Sequence, residues 1–188
     1  NYPNKDGRLG NGVGLDTPAS AIKLLNALAK EGYAVTNIPE GGNALMRRLS
    51  IGPTNALQYR HLRQGGVRFA QMDYQKFFSS LPKELRRTVT KRWGDPKKDP
   101  FVVGSDFLLP VLDLGNVVVA VQPARGYNID PSESYHDPGL PPPHGYIAFY
   151  AWLREVYRAN AVIHLGKHGN LEWLPGKAVA LSETCFPE

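Results

Sequence analysis

The densest group of side chains that could do chemistry lies near the end of the sequence, in residues 164–176. This stretch reads HLGKHGNLEWLPG, and His164, His168 and Glu172 follow one another at intervals of four residues. Imidazole suits divalent transition metals, and a neutral histidine also accepts a proton near neutral pH. The spacing would align the three groups on a helix, but Gly166 and Gly169 disfavour one. We therefore expect the groups to converge through the folding of a loop.

Each of these three residues also has an alternative interpretation. His164 lies inside an apolar run, AVIHL, so it could be a core histidine whose ring nitrogens are satisfied. His168 lies in a glycine-flanked loop sequence, which favours a functional role. Glu172 precedes Trp173 and could be a buried carboxylate with a raised pKa. It could equally cap a helix or pair with Lys177.

A second group follows another apolar run, in residues 122–144. Arg125 comes directly after a predicted strand, where its guanidinium could bind a carboxylate through two hydrogen bonds. Tyr135, His136 and His144 follow in a segment rich in proline. A flat, carboxylate-rich ligand would suit an arginine accompanied by loop aromatics. The alternatives are a surface salt bridge for Arg125 and turn chemistry around the prolines for the two histidines.

Glycines recur before the first predicted helix, in the sequence GNGVG at residues 10–14. Backbone N–H groups of glycines ahead of a helix can bind an anion. The spacing differs from the dinucleotide fingerprint, and no Walker lysine follows it. The alternative is an ordinary turn, and the sequence shows no nucleotide site of its own.

Positive charge is concentrated in residues 82–98. This segment holds seven basic and two acidic residues, a net charge of +5 that equals the formal net charge of the whole chain. The basic residues are Lys83, Arg86, Arg87, Lys91, Arg92, Lys97 and Lys98. Either the segment is a solvated helix face, or it docks an anionic partner. Nucleic acid is excluded as the main function, since no aromatic residues interleave the basic ones for base stacking.

Composition narrows the class of protein. With 188 residues, 42% of them hydrophobic, the chain can bury a core, which argues against wholesale disorder. One cysteine, Cys185, excludes a disulfide-stapled scaffold and a Cys-rich zinc module. The 35 glycines and prolines argue against a helical bundle. No apolar run approaches the ~20 residues of a membrane span and no signal peptide is visible, so we expect a soluble, cytoplasmic protein.

The elements that must position these groups alternate between helix and strand. Helices are predicted at 17–31, 43–49, 73–80, 82–93 and 145–158, the last of them amphipathic. Strands are predicted at 33–38, 101–103, 116–122 and 161–165, with a long loop at 126–143. This order predicts an α/β layered fold with a mainly parallel sheet flanked by helices. Parallel strands ending near 122 and 165 would bring His168, Glu172, Arg125 and His136 into one cleft at the sheet edge.

Several of these stretches together resemble one family. They are the opening NYPNKDGR, the stretch GNGVGLDTPAS at 10–20, QPARG at 122–126, YHDP at 135–138 and HLGKHGNLEWLPGK at 164–177. The chain resembles the large subunit of the ATP-dependent cobaltochelatase, a family related to the large porphyrin-binding subunit of magnesium chelatase. The resemblance runs nearly end to end. Lys167 before His168, and the YHDP sequence, are more similar to the cobalt branch than to the magnesium branch.

The resemblance implies that residues 1–188 are one internal domain of a much longer subunit, and that the isolated fragment is inactive. It implies insertion of Co²⁺, as the substrate metal, into a corrinoid, hydrogenobyrinic acid a,c-diamide, in cobalamin biosynthesis. ATP would be hydrolysed by separate AAA+ subunits, an expectation that agrees with the missing P-loop. Our hypothesis makes His168 and Glu172 the base and the transient metal ligand, with His164 in support. Lys167, Arg125, Tyr135 and His136 would bind the macrocycle.

Three other functions compete with this one. The first is insertion of Mg²⁺ into protoporphyrin IX by a magnesium chelatase. The second is a scaffold that docks the AAA+ partners through the basic segment 82–98. The third is a stand-alone His/Glu metallohydrolase, which would need a closed metal site within these residues.

Overall fold

The computed structural model describes residues 9–12, 14–127, 137, 139–166, 174–175 and 185–186. The chain combines helices with short strands and divides into two compact units. The first unit comprises residues 1–67, 110–122 and 163–168, and the second comprises 68–109, 123–162 and 169–188. Within the described residues, no helix is both long enough and apolar enough to cross a membrane.

The elements are short and follow one another closely. The helices are α1 (Thr17–Lys30), α2 (Gly42–Ile51), α3 (Gln71–Ser80), α4 (Lys83–Trp93) and α5 (His144–Ala151), which continues as π-helix over Trp152–Val156. Two 3₁₀ helices occupy Leu57–Leu62 and Pro96–Lys98. The strands are β1 (Asn11–Gly12), β2 (Leu15–Asp16), β3 (Val67–Ala70), β4 (Val102–Val103), β5 (Asp106–Leu109), β6 (Val111–Asp113) and β7 (Val118–Ala120).

Helix α1 begins where the sequence predicts, but with a different cap. The side chain of Asp16 accepts a hydrogen bond from the backbone N–H of Ala19 at 3.0 Å, which makes Asp16 the N-cap. Thr17 is a residue type that often caps helices, and the sequence alone favours it as the cap, but it is the first helical residue and donates its hydroxyl to the carbonyl of Gly10. The helix ends at Lys30, before Gly32 with a φ of +90°.

The first unit packs α1 and α2 beside a hairpin of β6 and β7. Its core is centred on Leu45, Leu49 and Val121. Strands β6 and β7 are antiparallel, with Leu112 opposite Val119. The turn between them depends on Gly115, whose φ is +92° and whose N–H donates to the Asp113 carboxylate at 2.8 Å.

The second unit is built around α5. Its sheet has the order β3-β5-β4, and α5 contacts both β5 and α3. Every residue of α5 is buried. The helix predicted at 145–158 is therefore present, but its amphipathic character is wrong for His144–Ala151: this is a helix covered on all sides. Helices α3 and α4 break at Leu81 and Pro82, as predicted.

The prediction of a mainly parallel sheet is not confirmed. The pairs β1–β2, β4–β5 and β6–β7 are all antiparallel. The strand predicted at 33–38 is reduced to a single antiparallel bridge between Val35 and Gly115. That predicted at 116–122 shortens to β7, and residues 161–165 form no strand. Strands of two to four residues joined by tight turns must be antiparallel, because a parallel pair needs a crossover of a dozen or more residues.

Candidate functional site

Of the predicted catalytic stretch, residues 164–176, the structure describes the beginning, and there His164 is exposed. Its neighbours Ile163 and Leu165 are 63% and 42% exposed, and Val162 is 54% exposed. The buried strand predicted here is therefore wrong, and so is the alternative that His164 is a core histidine. Lys167, His168 and Glu172 lie outside the described residues, so their predicted roles stay predictions.

Arg125 is buried, and it binds backbone carbonyls. Its Nη2 donates to the carbonyl oxygen of Asp137 at 2.7 Å and to that of Leu140 at 3.2 Å. Burial lowers the pKa of the guanidinium from its ordinary value. Arg125 thus holds the backbone carbonyls of Asp137 and Leu140 in place. The two residues predicted to share its ligand, Tyr135 and His136, lie outside the described residues.

The glycine-rich stretch forms the hairpin of β1 and β2. Gly10 and Gly14 have φ angles of +70° and +78°, a conformation that favours glycine. The N-terminus of α1 is occupied by the protein's own carboxylate, that of Asp16. The described residues therefore favour the turn interpretation of GNGVG over an anion site.

His144, which the sequence leaves between a ligand role and turn chemistry, is buried at the start of α5. Its Nε2 lies 3.0 Å from the carbonyl oxygen of Gly94, and its Nδ1 lies 2.6 Å from the hydroxyl of Tyr74. A carbonyl only accepts, so the proton is on Nε2 and the Tyr74 hydroxyl donates to Nδ1. Burial lowers the pKa of His144, which keeps the ring neutral near pH 7.

Asp99 forms a second buried cluster beside this histidine. One carboxylate oxygen accepts from the N–H of Phe101 at 2.7 Å, and the other accepts from the N–H of Gly145 at 2.7 Å and from the hydroxyl of Tyr127. Burial raises the pKa of Asp99, and the three donors oppose that rise. Burial also raises the pKa of Tyr127 and of Tyr74 well above the ordinary tyrosine value.

The cluster of Asp99, Tyr127, Tyr74 and His144 holds α5 in place. Asp99 accepts a hydrogen bond from the N–H of Gly145, the second residue of α5, and His144 is the first residue of that helix. Because these side chains form hydrogen bonds with one another and with the backbone inside the second unit, we assign the cluster a structural role. No group of three His, Cys, Asp or Glu among the described residues could hold a metal ion. The sequence analysis did not identify Asp99. The one sequence signal at this position is the Asp-Pro pair that it forms with Pro100, which is typical of a turn.

The basic segment folds as predicted, into helix α4 and the following 3₁₀ turn. The side chains of Lys83, Arg87, Lys91, Arg92, Lys97 and Lys98 are exposed, and that of Arg86 is half-buried. In the part of α4 that the structure describes, one ion pair forms, between Arg87 and Glu84 at 2.8 Å. A surface cavity of about 500 Å³ is lined by Phe78, Lys83, Arg86, Arg87, Thr90 and Lys91.

Comparison with known proteins gives a consistent result. The family described as CobN/Magnesium Chelatase matches residues 1–188. The aerobic cobaltochelatase subunit CobN of Sinorhizobium sp. is 60% identical over 188 residues, which are 100% of this chain and 15% of the relative. The chloroplastic magnesium-chelatase subunit ChlH of Oryza sativa subsp. japonica is 30% identical over 187 residues, which are 100% of this chain and 13% of the relative.

A solved structure agrees with the sequence relatives. The catalytic subunit of cobaltochelatase from Mycobacterium tuberculosis has a TM-score of 0.79 and 43% identity, covering 95% of this chain and 16% of that chain. The chain thus spans about 15% of the length of the curated relatives that it matches. Since the family match extends over every residue, the chain belongs to the CobN/magnesium chelatase family.

Proposed function

We propose that the chain is an internal domain of the macrocycle-binding large subunit of an ATP-dependent cobaltochelatase. The subunit would insert Co²⁺ into hydrogenobyrinic acid a,c-diamide in the cytoplasm, as a step of cobalamin biosynthesis. The observation that carries this proposal is the difference in identity, 60% to a protein named for cobalt chelation against 30% to one named for magnesium. The lysine before His168 and the sequence YHDP support the same choice.

The chemistry requires a base and a weak metal ligand. Pyrrole-type nitrogens of the macrocycle must lose protons as a divalent metal enters, and the metal must leave its protein ligands. We assign proton acceptance and transient Co²⁺ ligation to His168 and Glu172, with His164 in support. The exposure of His164 agrees with a residue that meets a ligand from outside these 188 residues. A site of two or three ligands releases its metal more readily than a closed four-ligand site.

The binding residues act on the rim of the macrocycle. Lys167 is assigned to a peripheral carboxylate, and Tyr135 and His136 to the ring or its substituents. Arg125 serves them through the backbone that follows, because it holds the carbonyl of Asp137, the residue next to His136. This replaces the direct carboxylate contact that the sequence predicts for Arg125. Separate AAA+ subunits would hydrolyse the ATP.

The test uses the full-length large subunit reconstituted with its partner subunits. Co²⁺ with the corrinoid, and Mg²⁺ with protoporphyrin IX, are compared by absorbance of the metallated product. We expect insertion of cobalt alone. Insertion of magnesium into protoporphyrin, without cobalt insertion, would establish the magnesium branch and contradict the proposal.

Substitutions test the assigned roles. Glu172→Gln keeps shape and removes charge and basicity, so it should lower the rate of insertion by about a hundredfold or more. His168→Ala should behave alike, with corrinoid binding and partner ATP hydrolysis retained. Glu40→Gln, at an exposed glutamate of the first unit, is the matched control and should leave the rate unchanged. Normal insertion by the Glu172 variant removes this residue from the mechanism.

Arg125→Lys should weaken corrinoid binding, and unchanged binding would refute its positioning role.

A further inference from the structure

Part of the charge on α4 works against the stability of the helix, although the helix dipole favours Lys91 and Arg92 in the last turn. Lys83, Arg87 and Lys91 are spaced four residues apart, so they repel one another along one face. Lys83 is also the first residue of the helix, where the positive end of the helix dipole disfavours a cation. Glu84 alone offsets these charges within the helix. A neutral residue at position 83 would suit the helix better, so local stability does not account for this part of the face.

The face is held in a fixed orientation. On the opposite side of α4, Leu85 and Val89 are buried, with 6% and 0% exposure. Their packing fixes the rotation of the helix about its own axis. The Nε of Arg86 donates to the carbonyl of Leu81 at 3.0 Å, and Arg87 pairs with Glu84. The guanidinium of Arg86 is thus oriented before any partner arrives, which lowers the entropy cost of binding.

The cavity beside this face combines charge with one aromatic surface. Its lining includes Lys83, Arg86, Arg87 and Lys91, together with Phe78. Phe78 is half-buried and packs edge-on against the ring of His144 at 5.0 Å between centroids. A partner that places an apolar side chain on Phe78 and carboxylates around it would match both features.

We propose that the α4 face, defined by Phe78, Lys83, Arg86, Arg87, Thr90 and Lys91, docks an acidic segment of another subunit of the chelatase assembly. The proposal rests on the proposed function in one respect, that such an assembly exists. A membrane surface fits less well, because the apolar side of α4 is already buried in its own unit. A nucleic acid fits less well, because Phe78 is the one aromatic residue among the lining residues.

The experiment measures association of the full-length large subunit with each partner subunit. The test variant is Arg86→Gln, Arg87→Gln and Lys91→Gln combined, which removes three charges and keeps good helix formers. The matched control removes three exposed cations of α1 and α2, through Lys23→Gln, Lys30→Gln and Arg47→Gln. Circular dichroism and corrinoid binding are measured on all three proteins.

We expect the test variant to raise the Kd for one partner by about tenfold or more, and the control to change it by less than about twofold. Wild-type association should weaken between about 0.05 and about 0.5 M NaCl. Corrinoid binding should be unchanged. Substituting acidic residues of that partner by lysine should restore binding to a variant with Arg86, Arg87 and Lys91 changed to Glu.

Several outcomes would overturn the docking proposal. They are equal affinity of the test variant and wild type, equal loss in the control, association that does not respond to salt, and wild-type protein that binds no partner. Binding of nucleic acid or of a second copy through this face, in place of a partner subunit, would overturn it too. If cobalt insertion fails while salt-sensitive docking remains, the proposed function fails and the docking proposal stands.

Discussion

Replacing Asp99 tests whether the second unit depends on one buried carboxylate. Asp99→Ala deprives three donors of their acceptor, namely the N–H groups of Phe101 and Gly145 and the hydroxyl of Tyr127. A buried polar group left without a partner costs about 1–3 kcal/mol. With partial entry of water, we expect the free energy of opening at the start of α5 to fall by about 3–5 kcal/mol.

Asp99→Asn should cost less, because two effects oppose each other. The amide keeps one acceptor oxygen. Its NH₂ group replaces the other oxygen and, in either orientation, lies against a hydrogen-bond donor. Against this, burial raises the pKa of Asp99, which means that the native site already disfavours the charge. A neutral amide avoids that penalty. We therefore expect a loss of about 1–2 kcal/mol for Asn, smaller than for Ala.

Hydrogen exchange read by mass spectrometry on the full-length subunit measures these losses locally, in peptides that cover α5. The matched control is Asp95→Asn, since Asp95 is exposed and accepts from the N–H of Lys97 at 2.9 Å. It should shift the opening free energy of α5 by less than about 0.5 kcal/mol. The reasoning is refuted if Asp99→Ala opens α5 no more than the control does. It is refuted equally if Asn costs more than Ala.

Two further predictions concern acid sensitivity and a tight turn. Burial lowers the pKa of His144 in the folded protein below 6.5, so, as the pH falls, the unfolded chain takes up a proton before the folded protein does. Protection of α5 against hydrogen exchange should therefore be complete above pH about 6.5, and it should be lost as the pH falls through the lowered pKa. His144→Gln should remove this step in exchange corrected for intrinsic rates, and an unchanged step would assign it to another group. At Gly115 an added Cβ would lie 2.6 Å from the carbonyl oxygen of Ala34, at a φ of +92°, so Gly115→Ala should cost about 3 kcal/mol in the opening free energy around Val35. Gly104→Ala, with a φ of +66° and open space around it, should cost about 1 kcal/mol at its own turn, and equal losses would contradict the steric argument.

The helices could be predicted because their signals are local. A proline in the first turn and a glycine at the end fix α1 within a few positions of the chain, although the capping side chain is that of Asp16. The break between α3 and α4 follows from Pro82 alone. The exposure of the basic side chains follows from their charge, since an unpaired lysine or arginine is rarely buried. None of these features requires knowledge of a distant residue.

The strand at 101–103 is confirmed as β4, and that at 116–122 in part as β7, but how the strands pair could not be predicted, because pairing depends on partners. The run at 116–122 is rich in β-branched residues, which favours extended backbone in either kind of sheet. Its pairing with β6 is set by the turn at Gly115. The run at 161–165 is similarly apolar, and none of the described residues pairs with it. Composition alone does not separate the two cases.

The buried cluster could not be predicted for a related reason. Tyr74 and His144 are 70 positions apart, and Tyr127 and Asp99 are 28 apart. No motif connects either pair, and each residue taken singly is ordinary. Only the fold brings them together. The HLGKHGNLEWLPG motif is the opposite case, since its members are adjacent in sequence and identify the family without any structure.

These buried contacts bear on the proposed macrocycle site through the chain that they anchor. Tyr127 precedes segment 128–136, and its hydroxyl binds Asp99. Asp137 follows that segment, and its carbonyl binds Arg125. Both ends of the segment that carries Tyr135 and His136 are therefore fixed by buried groups within one unit. Tyr135 and His136, the two proposed macrocycle residues, lie between these two anchored residues in the sequence. If Tyr135 and His136 bind the macrocycle as proposed, the buried carboxylate of Asp99 and the buried guanidinium of Arg125 would help to orient it for metal entry.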